Sequence, residues 1–162
     1  MLNKIFVFGL LCLTLTSSGQ IISKKLLTAK YAGIYSYGDI EKSGSGTIYI
    51  YPETDSNILF YIDLNRGAPS YNMGSEYGRI KIINGNGTYY IKESGESIGC
   101  KWNIKFIKNK IIIKTLDNEN NCSYGYGVLT DGIFYRKSKT IPLYFENQEG
   151  TKIYFKNLKL FK

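Results

Sequence analysis

Short runs in which apolar and polar residues alternate fill most of the chain, and this pattern constrains the fold more than any other feature. The runs are rich in isoleucine and tyrosine, which favour strands, and their period of two indicates half-buried β-strands. Clusters of turn-forming residues, such as residues 43–46 and 84–87, separate them. The predicted strands are residues 32–37, 47–51, 58–64, 79–83, 88–92, 101–107, 110–116, 127–129, 133–136, 143–145 and 152–155.

This pattern predicts an all-β fold in a single domain. The spacing of the strands is typical of an antiparallel barrel, lipocalin-like in build, or of a β-sandwich, and the sequence leaves both open. Residues 21–30 are the only segment that suggests a helix, and the helix would be short.

Residues 1–19 have the three-part pattern of a secretory signal peptide. Lys4 supplies a positive charge, an apolar run follows, and small residues lead to Gly19. The run is shorter than the roughly 20 residues that span a bilayer, so no membrane-spanning segment is predicted. Cleavage after Gly19 would leave residues 20–162 as a β domain in the periplasm or outside the cell. Lipidation of Cys12 is an open alternative, although Leu11 stands where lipoproteins carry a small residue.

Cys100 and Cys122 are the cysteines that follow the signal peptide. In an exported chain an isolated pair most often forms a disulfide, so a Cys100–Cys122 bond is predicted. Their spacing is not that of a Cys-x-x-Cys redox motif, which favours a structural role.

The chain contains no histidine, and this excludes the catalytic arrangements that depend on one. The acidic residues that lie near each other in sequence, Glu93 with Glu96 and Asp39 with Glu41, stand in polar turns. Glycoside hydrolysis instead needs one carboxyl kept protonated by an apolar pocket. We therefore expect a protein that is not an enzyme and that carries no cofactor and no metal.

The formal net charge of +8 favours an anionic partner. The lysines are spread over many segments instead of forming a block, which argues against a nucleic-acid site. An acidic protein is the expected partner.

One hairpin can be predicted to its register. A two-residue turn at Lys108 and Asn109 leaves an apolar face on one side of the hairpin and lysines on the other. A slip by one residue would turn the lysines into the core, so the register should be firm. The predicted pairs are Phe106–Ile111, Ile104–Ile113, Trp102–Thr115 and Cys100–Asp117.

Residues 65–78 are the longest segment without a strand pattern, and long irregular loops in compact domains are often functional. The side chains predicted to contact a partner protein are Arg66, Tyr71, Met73 and Tyr77, which are residue types enriched at interfaces. The alternative is a loop that only covers one end of a barrel.

A second candidate site is a small-ligand or glycan site in the mouth of the barrel, lined by Trp102, Tyr124 and Tyr126. The two tyrosines lie in a glycine-rich run at residues 122–128, which lacks the pattern of a phosphate-binding loop. An edge strand with packed tyrosines is the alternative interpretation of that run.

Three segments carry a resemblance to known proteins: Cys100-x-Trp-x-Ile-x-Phe, Cys122-Ser-Tyr-Gly-Tyr-Gly-Val and Asp131-Gly-Ile-Phe-Tyr. They resemble a pattern in small exported bacterial proteins of uncharacterised function. The layout is also similar to small disulfide-stapled periplasmic β-barrels, including proteinaceous lysozyme inhibitors. The resemblance implies a binding protein that acts as an inhibitor, or as an immunity factor against a toxin. Its positive charge would repel a basic lysozyme, so an acidic toxin or hydrolase is the expected target.

Overall fold

Ten strands make up most of residues 26–41 and 43–160, the part of the chain that the computed structural model describes. The predicted signal peptide, Cys12 and residues 21–25 of the predicted helix lie outside this part. The rest of that helix is a short 3-10 helix, Leu27–Tyr31, and a second one, Phe155–Asn157, follows the last strand. The strands are β1 Gly33–Gly38, β2 Ser45–Pro52, β3 Asn57–Asn65, β4 Met73–Lys81, β5 Asn86–Ile91, β6 Cys100–Ile107, β7 Lys110–Asn120, β8 Gly132–Ser138, β9 Tyr144–Glu146 and β10 Lys152–Tyr154.

Eight strands form one antiparallel sheet in the order β4-β3-β2-β1-β8-β7-β6-β5. Strands that are neighbours in sequence pair with each other, except β4 and β5, and β8 returns to pair with β1. The two edge strands, β4 and β5, follow each other in the chain and are therefore held side by side. The sheet is a nearly closed barrel, which confirms the predicted all-β fold and resolves the choice between barrel and sandwich.

Large side chains fill the inside of this barrel. Tyr35, Phe60, Trp102 and Phe134 are fully buried there, and the rings of Phe60 and Trp102 meet edge to face at 5.0 Å. Alternate residues of each strand point inward, so a barrel of this size fills with side chains instead of leaving a channel.

A second, smaller core lies on the outer face of the sheet, under the hairpin of β9 and β10. Tyr61 stacks on Phe145 at 4.0 Å, and Tyr51 stacks on Phe155 at 5.4 Å. The hairpin explains why β3 has a continuous buried run instead of an alternating one, since both of its faces are covered.

The predicted register of the β6–β7 hairpin is confirmed from the Phe106–Ile111 pair to the Trp102–Thr115 pair. The expected Cys100–Asp117 pair is wrong, because Cys100 pairs with Asn120 beyond a bulge. Asp117 and Asn118 take left-handed backbone angles there, with φ of 55° and 58°. The bulge shifts the partner of Cys100 by three residues, from the predicted Asp117 to Asn120. The Cys100–Cys122 disulfide is confirmed.

Candidate functional site

The longer connections between barrel strands all lie at one end of the barrel, which we call the loop end. They join β1 to β2, β3 to β4, β5 to β6 and β7 to β8. Successive strands run in opposite directions, so alternate connections meet at the same end. The opposite end has shorter turns and is covered by the first 3-10 helix, where Tyr31 packs on Phe106 at 4.4 Å. The disulfide ties the loop end together.

The predicted loop at residues 65–78 is shorter in the structure, where the connection is residues 66–72. Residues 73–78 belong to β4, and residues 127–129, predicted as a strand, lie in the β7–β8 connection and form none. The inward positions at the start of β4 are Gly74, Glu76 and Gly78, so no apolar alternation marks the strand. Gly74 is required there, because a Cβ atom would lie 2.4 Å from the ring of Tyr124. Sequence periodicity could therefore find only the end of this strand, within the predicted strand at residues 79–83.

The structure brings together residues from the two sites that the sequence predicted separately. Arg66 Nη1 and Asn72 Nδ2 both donate to the carbonyl oxygen of Tyr126, at 3.3 and 2.7 Å. The guanidinium carbon of Arg66 also lies 5.5 Å from the centre of the Tyr126 ring. The N–H of Gly125 donates to the carbonyl of Met73 at 2.9 Å. The β3–β4 and β7–β8 connections therefore form one continuous surface.

We call this surface the rim patch and define it by Arg66, Tyr71, Met73, Tyr126 and Leu129. The exposed fractions of its apolar residues are 44% for Tyr71, 44% for Met73, 85% for Tyr126 and 60% for Leu129. Tyr71 has a left-handed backbone with φ of 50°, which is uncommon for a bulky residue. Sequence analysis missed Leu129 because it was assigned to a strand, and no motif marked it as a surface residue.

Asp131 fixes the C-terminal end of the β7–β8 connection, whereas the disulfide at Cys122 fixes its N-terminal end. Its Oδ1 atom accepts hydrogen bonds from the N–H and the hydroxyl of Thr115, both at 2.7 Å, and Oδ2 accepts one from Lys114 at 3.1 Å. Burial opposes ionisation of Asp131, but these hydrogen bonds outweigh it and lower the pKa of its carboxyl. The connection is held at Cys122 and again at Asp131, so the rim patch stands on a fixed framework.

The three residues of the predicted ligand site do not converge. Trp102 is fully buried between Phe60 and Tyr89. The ring of Tyr124 lies against Gly74, and burial raises the pKa of its hydroxyl. Tyr126 stands at the surface. A ligand in the mouth of the barrel stays a prediction, and the filled interior gives it little support.

Tyr77, the fourth predicted contact residue, lies away from the rim patch in a groove between β4 and β5. This groove, which we call the seam, has a volume of about 570 Å³. Its walls are Glu76, Tyr77, Gly78 and Arg79 from β4, Tyr89, Tyr90, Ile91 and Lys92 from the β5 side, and Lys159 and Leu160 from the C-terminal segment.

Glu76 is a half-buried carboxylate in the seam. Burial raises the pKa of its carboxyl and the nearby Glu93 adds to this, although hydrogen bonds from the Tyr77 N–H and from Tyr89 oppose the shift. The Tyr77 N–H lies 3.0 Å from Glu76 Oε1. The Glu76 carboxylate therefore accepts a hydrogen bond from one backbone N–H of β4, that of Tyr77.

The Glu76→Gln variant should have a stability that depends less on pH. The pKa of the Glu76 carboxyl is raised above its ordinary value of 4.5 in the folded protein, so the folded state holds this proton more tightly than the unfolded state does. The proton therefore stabilises the wild-type protein below pH 4.5, and this contribution is lost as the pH rises through the folded-state pKa. Glutamine cannot ionise, and its side-chain oxygen still accepts from the Tyr77 N–H. Thermal unfolding followed by circular dichroism at about pH 4 and about pH 7 measures the difference. If Tm changed by the same amount between the two pH values in wild type and in Glu76→Gln, then Glu76 would not titrate in this range.

In the part of the chain that the structure describes, no helix is long and apolar enough to cross a membrane. No group of three or more cysteine, aspartate or glutamate side chains in that part is arranged to hold a metal ion. Comparisons with protein-family models, with curated proteins and with solved structures found no match to this chain.

Proposed function

We propose that the protein is an exported, non-enzymatic binding protein that neutralises another protein, a toxin or a hydrolase, by covering it with the rim patch. One observation carries the proposal: four large apolar side chains on or next to the two connections that Arg66 links at the loop end are exposed to solvent. Tyrosine and arginine are the residue types that most often dominate the binding energy of protein interfaces.

The framework of the rim patch supports this function. The shared carbonyl of Tyr126, the disulfide at Cys122 and the hydrogen bonds of Asp131 hold both connections in place. A surface that is already ordered loses little conformational entropy when it binds, so more of the contact energy appears as affinity.

The charge of the chain supports an acidic partner. A protein with a formal net charge of +8 attracts an acidic protein over several ångströms, and salt screens this attraction. We expect the association rate to fall as the salt concentration rises, with a smaller effect on dissociation.

The double variant Tyr126→Ala/Leu129→Ala should lose the partner while keeping its fold. Both side chains are largely exposed, so we expect each substitution to change the free energy of unfolding by less than about 0.5 kcal/mol. Truncation of two interface anchors should weaken binding by at least about tenfold. The immobilised full-length protein, its disulfide intact, would be used to capture partners from envelope extracts, culture medium and extracts of neighbouring strains. The affinity and the activity of a stoichiometrically captured protein would then be measured with wild type and variant.

Tyr135→Ala is the matched control, because Tyr135 is also an exposed tyrosine but lies on β8, away from the rim patch. Loss of binding and of inhibition in the double variant alone would support the proposal. Equal binding by wild type, double variant and control would remove the rim patch as the binding surface. A captured protein whose activity is unchanged in the complex would exclude inhibition.

A further inference from the structure

The edges of β4 and β5 that face each other are largely unpaired. Ile83 and Asn86 exchange two backbone hydrogen bonds at the turn, at 2.8 and 2.9 Å. Beyond this bridge, no ladder joins β4 to β5 among the residues described, although each strand pairs along its length with its other neighbour. Each strand therefore presents a row of backbone N–H and C=O groups to the seam.

The seam is narrow next to the Ile83–Asn86 bridge, where a Cβ atom on Gly87 would lie 2.8 Å from the carbonyl oxygen of Lys81. Its free volume lies further along the strands, between residues 76–79 and residues 89–92. A residue in a sheet occupies about 3.3 Å along the strand, about 4.8 Å across to the next strand and about 10 Å between faces. The volume of about 570 Å³ thus corresponds to a segment of roughly four residues. An extended segment placed there would satisfy backbone groups on both edges, which a globular contact would not.

The side chains around the seam differ between its two faces. On the outer face Tyr77 and Tyr90 are partly exposed. On the inner face the ring of Tyr89 lies over Gly78, and Ile91 is left partly exposed. Because alternate residues of a strand point to opposite faces, an added segment would place every second side chain against Ile91 and the ring of Tyr89. Apolar residues suit those positions.

The charges at the seam favour an acidic segment. Within the described part of the chain, Lys92 and Lys159 have no carboxylate within ion-pair distance, whereas Arg79 is paired with Glu53 at 2.6 Å. In that part, the Lys92 ammonium donates only to a neutral acceptor, the carbonyl oxygen of Ser97, at 3.1 Å. Glu76 is the carboxylate in the wall of the groove, and it lies on the inner face. Carboxylates on the outward positions of an added strand would lie near the two unpaired lysines and away from Glu76.

From these features we infer that the seam binds an extended acidic segment of a partner protein as an added β-strand, with apolar side chains inward and carboxylates outward. The carbonyl groups of this segment replace the Glu76 carboxylate at the Tyr77 N–H. The charge argument disfavours two other occupants: a second copy of this chain, with its net charge of +8, and the segment around Lys24 and Lys25. This inference does not depend on the rim patch.

The test uses a short peptide in which glutamate and valine alternate, added to the full-length protein. Hydrogen exchange followed by mass spectrometry should show slower exchange of the amides in residues 76–79 and 89–92. The double variant Lys92→Glu/Lys159→Glu should bind the peptide about tenfold more weakly. Lys137→Glu is the matched control, because Lys137 lies on β8, on the far side of the barrel from the seam, and should leave binding unchanged.

Two probe variants separate strand addition from simple charge attraction. The same peptide with every internal backbone nitrogen methylated keeps its charge but loses the donors on both of its edges, so it should not slow exchange at the seam. The peptide with lysine in place of glutamate should bind much more weakly.

Other outcomes would overturn the inference. Protection of the loop end alone would place the peptide at the rim patch. Equal protection by the methylated peptide would mean that no ladder forms. Slow exchange at the seam before any peptide is added would mean that the chain's own residues fill it, and protection that grows with protein concentration would identify a second copy. The result of the peptide test does not depend on whether the Tyr126→Ala/Leu129→Ala variant binds a partner protein. The two proposals can therefore be rejected separately.

Discussion

The Trp102→Ala variant should lose about 3–5 kcal/mol of unfolding free energy. Trp102 is fully buried at the centre of the barrel, where its ring contacts Phe60 at 5.0 Å and Tyr89 at 5.1 Å. Alanine would leave a cavity that the β-strands around it cannot close without breaking their ladders. Urea unfolding followed by far-ultraviolet circular dichroism would measure the loss, since the variant has no tryptophan fluorescence.

Trp102→Phe is the matched variant. It keeps an aromatic ring in the core, and it removes an indole N–H that has no hydrogen-bond partner among the described residues. Its cost should therefore be clearly smaller than that of alanine. If Trp102→Ala were as stable as wild type, Trp102 would not be a core residue, and its predicted role in lining a ligand site would return.

Replacing both cysteines, in the variant Cys100→Ala/Cys122→Ala, should lower the free energy of unfolding by about 3 kcal/mol. The bond closes a loop with a sequence separation of 22 residues, and its loss gives the unfolded chain more freedom. Both cysteines are buried, so alanine is a better replacement than serine, whose hydroxyl would need a partner. Urea unfolding of the oxidised wild type and of the variant measures the difference.

The loss should be uneven along the chain. Hydrogen exchange should become faster in residues 121–131, which the disulfide holds at one end, and stay slow in the ladder between Ile104 and Ile113. A variant as stable as the oxidised wild type would mean that Asp131 and the β6–β7 ladder hold this region without the bond.

The sequence predicts those parts of the fold that depend on local pattern. β2 alternates along its whole length in burial, and the β6–β7 hairpin has the predicted register, because lysines on one face and isoleucines on the other allow only one arrangement. The disulfide was also predictable, since the chain after the predicted signal peptide has a single pair of cysteines.

Other parts depend on contacts that no local pattern records. The first half of β4 has Gly74 and Gly78 at inward positions because the rings of Tyr124 and Tyr89 fill the space above them. The bulge at Asp117 and Asn118 shifts the pairing of Cys100 through two left-handed residues, which the asparagine and aspartate types allow but do not require.

The candidate site was predictable in its residue types but not in its arrangement. Arg66 and Tyr126 are separated by 60 residues and meet only because the strands place their two connections at one end of the barrel. The sequence places Tyr77 in the same predicted contact loop as Arg66, but in the structure Tyr77 lies in the seam. The seam itself follows from the strand order, which requires the pairing of β1 with β8.

The strand order also divides the chain into two halves at the turn between β4 and β5. Each half, β1–β4 and β5–β8, is a meander whose strands pair with their neighbours in sequence, and the β1–β8 ladder is the one that joins the halves within the described sheet. A second contact joins the halves on the outer face of the sheet, where Phe145 of the β9–β10 hairpin stacks on Tyr61 of β3. The contact between Arg136 and Tyr35 that accompanies closure spans 101 residues. Chain entropy opposes such a long-range contact, so the shared core, the β1–β8 ladder and the packing of the β9–β10 hairpin must together offset the cost of bringing the two halves into one domain.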